Sequence, residues 1–81
     1  MITEEIAKYV AVLRMGNPQH SLRRIAELVC DNYPEWVDEE YGDKNGSPAH
    51  LDLRGNQLMG KDLVEMAGEV LGITSEELIG W

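Results

Sequence analysis

The chain has 81 residues, enough for one domain and one core, and a formal net charge of −8 at pH 7. The charge is uneven. Through Cys30 four basic residues face three acidic ones, a net of +1, whereas from Asp31 onward three basic residues face twelve acidic ones, a net of −9. Phosphate backbones are bound through Lys and Arg that displace counterions, so this balance counts against nucleic acid as the partner. No apolar run approaches the ~20 residues of a membrane helix, so no membrane contact is expected. The acidic start, Met1-Ile2-Thr3-Glu4-Glu5, lacks the positive segment of a signal peptide. Cys30 has no second cysteine to pair with and falls in an apolar helical run, which fits a buried thiol in a reducing cytoplasm.

In chain order, Thr3 can cap a first helix, with Glu4 and Glu5 at its positive end. Ile2, Ile6, Val10 and Leu13 recur at helical spacing, flanked by Tyr9, and Gly16-Asn17-Pro18 supplies the stop. Ser21 caps a second helix over 21–32, with Leu22, Ile25, Ala26 and Val29 inside and Arg23, Arg24, Glu27 and Asp31 outside. Pro34 ends it by forcing Tyr33 out of helical geometry.

Residues 34–57 read as a long acidic loop, in which Glu35 to Tyr41 could form one or two helical turns. Turn formers crowd 42–48, and His50-Leu51-Asp52-Leu53 alternates as an extended piece would. Trp36, Leu51 and Leu53 are expected to pin this loop over a core that has no Phe. Residues 59–71 then form the helix around which the rest is organised. Met59, Gly60, Leu63, Val64, Met66, Ala67, Gly68, Val70 and Leu71 fill one broad arc, with Lys61, Asp62, Glu65 and Glu69 outside it. Gly60 and Ala67 would let a neighbouring helix approach closely. Gly72 closes this helix, and the capping box Thr74-Ser75-Glu76-Glu77 opens a short last one. The expectation is an all-α domain of three to four helices, with the acidic loop between the second and third.

Residues 64–81 resemble the helix-turn-helix units of bacterial and phage repressors in Gly68, the turn glycine Gly72, and apolar Leu71, Ile73, Leu78 and Trp81. The resemblance implies a DNA-binding regulator, acting as a dimer, whose last helix reads bases. That helix offers Thr74, Ser75, Glu76 and Glu77 where Arg, Lys, Asn or Gln would be needed. Residues 21–28 resemble the positioning helix of the same unit, but the segment that follows is acidic.

No cofactor, metal or catalytic constellation is signalled. His20, Cys30 and His50 lack zinc-ligand spacing. A calcium loop through Asp43, Asn45, Gly46 and Asp52 would begin on Tyr41 instead of a carboxylate. The chain is therefore expected to act by binding rather than as an enzyme. The stretch 33–43 interleaves Tyr33, Trp36 and Tyr41 with Glu35, Asp38, Glu39, Glu40 and Asp43 and contains no basic residue. Aromatic contact area beside steering charge is how compact protein-binding patches are built. Tyr33, Trp36, Asp38, Glu39, Glu40 and Tyr41 are thus the expected contacts for another protein with a basic surface. A domain this small also gains stability from pairing with itself, which keeps a homodimer among the expected states.

Overall fold

The structure, a computed structural model, describes residues 1–43, 46 and 48–74. Among the described residues the chain is helical and has no strand: α1 (Glu4–Met15), α2 (Leu22–Asn32), α3 (Pro34–Tyr41), α4 (Ala49–Asp52) and α5 (Gln57–Leu71). The expected last helix over 74–81 lies almost wholly outside the described residues.

Three helices start where a side chain can take up the free backbone N–H groups of the first turn. The Thr3 hydroxyl accepts from the Ile6 amide at 3.1 Å, the Ser21 hydroxyl from Arg24 at 3.1 Å, and the Asn56 carbonyl from Met59 at 2.9 Å. The long helix therefore begins two residues before Met59. At its far end Gly72 takes a left-handed φ of 72°, and the Ile73 amide folds back onto the Gly68 carbonyl at 2.9 Å.

The expected long acidic loop is not present, because most of it is helix. Pro34 does end α2, but it also occupies the first turn of α3, where a fixed φ and a missing N–H do no harm. His50–Leu51–Asp52–Leu53, expected to be extended, instead lies within α4 and its C-cap.

α1, α2 and α5 form the core, with α1 lying most extensively along α5 and α2 next. α2 and α5 approach closely at Gly60, where an added Cβ would stand 2.0 Å from the Leu22 carbonyl oxygen. Ile6, Ala7, Val10, Ile25, Ala26, Val29, Leu63, Val64 and Ala67 are sealed from solvent. α3 and α4 pack on each other and on α2, and contribute Val37 and Ala49 to the same core. Leu51, expected to cover the core, is 63% exposed, whereas Trp36 and Leu53 pack against it. Cys30 is buried with its Sγ 3.8 Å from the Met59 sulfur, and that burial raises its pKa to about 11.

Candidate functional site

The six expected contact residues all lie on α3 or at its start, and the helix sends them in different directions. Tyr33, Trp36 and Glu40 fall three to four residues apart and share one flank. Tyr33 meets Tyr9 edge-on, with ring centroids 5.6 Å apart. Its phenol pKa is raised, first by burial and then by the nearby Glu5 carboxylate. The Trp36 indole N–H donates to the Met1 carbonyl at 3.2 Å, and Glu40 accepts from the Met1 amine at 2.5 Å. Trp36 also stands edge-on to Tyr41 at 6.0 Å.

The other three diverge. Asp38 turns toward α4, where one carboxylate oxygen meets both the His50 amide, at 3.0 Å, and the His50 Nδ1, at 2.8 Å. Those bonds favour the ionised form and lower the Asp38 pKa. Tyr41 turns toward α5 and donates its hydroxyl to Asp62 at 2.5 Å. Burial, and then this carboxylate, raise the Tyr41 pKa strongly. Glu39 alone of the six is exposed without a bond to another described residue, beside Glu35 one turn earlier. Four of the six therefore bond across to other elements, and the helix does not gather them into one face.

Two concavities border α3. One, of about 370 Å³, is lined by Asn32, Tyr33, Pro34, Glu35 and Trp36 at the α2–α3 junction. The other, of about 530 Å³, is lined by Met1, Ile2, Glu40, Met66, Glu69 and Val70. Sequence periodicity places Val70 inside the apolar arc of α5, yet it is 43% exposed, because nothing among the described residues covers that end of the arc. This second groove was not anticipated. Its signal was present in an apolar arc too wide for its neighbours to cover.

The basic residues of α2 do not reach the acidic helix. Arg24 pairs with Glu27 in its own helix. Arg54, beyond α4, grips Asp31 with two bonds of 2.7 and 3.1 Å and lies 3.4 Å from Glu27. This bidentate clasp lowers the Asp31 pKa. Among the described residues no group of three or more His, Cys, Asp or Glu side chains could hold a metal ion, and no helix is long and apolar enough to cross a membrane. Of the helix-turn-helix resemblance, the first helix and the Gly72 corner are formed, while its second helix is outside the described residues. The α2–α3 pair places Glu35, Asp38, Glu39 and Glu40 where a reading helix would need cations. In comparisons with protein-family models, curated proteins and solved structures, the chain matches none.

Proposed function

We propose that this chain is a small acidic protein-binding module, a regulator or inhibitor that engages a basic surface on another protein. The observation that carries the reading is the set of exposed carboxylates Glu35, Glu39, Glu65 and Glu69, none of which is ion-paired among the described residues. Arg54, just after α4, is committed to Asp31 and Glu27. Unpaired charge of one sign steers a partner of the opposite sign and raises its association rate, more at low salt than at high.

Affinity capture at two salt concentrations tests this, with each bound species identified as protein or nucleic acid. Basic proteins released between about 0.15 and 0.5 M salt are the expected result, because screening shortens the reach of exposed charge over that range. Micromolar, salt-sensitive binding to random duplex DNA at 0.15 M salt would overturn the reading in favour of a DNA-binding regulator.

A further inference from the structure

The groove between the start of α1, the last turn of α3 and the second half of α5 has an apolar floor and acidic edges. Ile2 is buried at its base, Met66 is half-buried, and Val70 and Met1 stand open to solvent. Glu40 and Glu69 flank this floor, and Glu65 lies one turn before Glu69 on the outer side of α5. Glu40 is already bonded to the Met1 amine, while Glu69 and Glu65 have no ion pair among the described residues. At about 530 Å³ the groove lies within the size range of sites that enclose ligand groups. Two methionines in the lining suit it to aliphatic side chains of more than one shape.

We propose that this groove docks an amphipathic basic segment of a partner protein, an aliphatic side chain entering between Ile2, Met66 and Val70 while a flanking Lys or Arg reaches Glu69. The proposal rests on the reading of the chain as a binder of basic partners, and it narrows that reading to one place and one chemistry. The charge around the floor selects the occupant. A nucleic acid would bring phosphates against Glu69 and Glu65. A second copy of this chain would bring another surface of mostly negative charge. A segment that is apolar on one side and cationic on the other satisfies both floor and edge.

The test uses a synthetic helical peptide with Leu at i, i+4 spacing and Lys elsewhere, titrated into the isotopically labelled full chain and followed by amide chemical shifts. A second peptide with Ser for Leu keeps the charge and removes the apolar face. The expected shifts centre on Ile2, Met66, Glu69 and Val70, with binding about tenfold weaker for the Ser peptide and for Val70→Ser, and measurably weaker for Glu69→Gln. Val70 and Glu69 are exposed, so both variants should keep the wild-type circular dichroism. Shifts centred on Glu35 and Glu39, with Val70→Ser binding as wild type, would overturn the groove and leave the basic-partner reading standing. No binding of either peptide would remove both. Concentration-dependent shifts at the groove in the free protein would show that a second copy occupies it.

Discussion

Trp36 is expected from the sequence both as a partner contact and as a pin over the core, and the structure places it against the core. It is half-buried, packs against the core, stands edge-on to Tyr41 and donates its indole N–H to the Met1 carbonyl. Replacing a large core aromatic by alanine costs about 3–5 kcal/mol, and a half-buried one less, so Trp36→Ala should cost about 2 kcal/mol. A thermal melt checks this. An unchanged midpoint would mean that the indole is spare surface, free to serve as a binding anchor. Nothing in the composition separates these roles, because an aromatic among carboxylates suits both. The structure adds the position of Met1, distant along the chain and adjacent in space, to which the indole is bonded.

At the scale of elements, α1, α2 and α5 were legible because each has a long apolar period, with a start signal at Thr3 and Ser21, whereas the Asn56 cap that starts α5 two residues before Met59 was missed. Thr3 and Ser21 cap as their chemistry implies, and Gly72 ends α5 in the left-handed conformation that only glycine adopts at little cost. α3 was legible only as one or two possible helical turns within a loop, and α4 was not legible. α3 has no side-chain cap and only eight residues, and Pro34 was read as a stop when it was also a start. α4 has four residues, too few for alternation to distinguish a strand from one helical turn. Periodicity also could not show which end of the α5 arc would remain uncovered. The small-residue reading of α5 carries an energetic expectation. Gly60→Ala improves helix propensity by ~1 kcal/mol but drives a methyl into the Leu22 carbonyl, whose backbone cannot turn aside as a flexible side chain could. Overpacking of this kind costs ~1–3 kcal/mol, so Gly60→Ala should lower the melting temperature and Gly60→Leu should lower it further. Glu65→Ala, on the exposed face, should leave it nearly unchanged. A Gly60→Ala protein as stable as wild type would mean that α2 and α5 can move apart freely.

Across the whole molecule, the two layers are joined by different forces. α1, α2 and α5 interlock through side chains almost wholly removed from water. Among the described residues, α3 and α4 commit Val37 and Ala49 to the fully buried interior. Half-buried Tyr33, Trp36, Tyr41 and Leu53 pack against it, and polar bonds add to them: Tyr41 to Asp62 of α5 and, just after α4, Arg54 to Asp31 of α2, while Asp38 to His50 ties α3 to α4. Asp38 and Asp31 have lowered folded pKa values, so the stability they supply is complete above their unfolded value of about 3.9 and is lost as pH falls through the folded value. The molecule is thus built to come apart in stages. Backbone amides of α3 and α4 should exchange with solvent deuterium through a partial opening that leaves α1, α2 and α5 protected, and acid below about pH 4 should favour that opening. Asp31→Asn, which weakens the Arg54 clasp onto α2, should favour the same opening near neutral pH. Exchange at one common rate in all five helices would show instead that the polar fastenings hold the outer pair as firmly as the interior holds the rest.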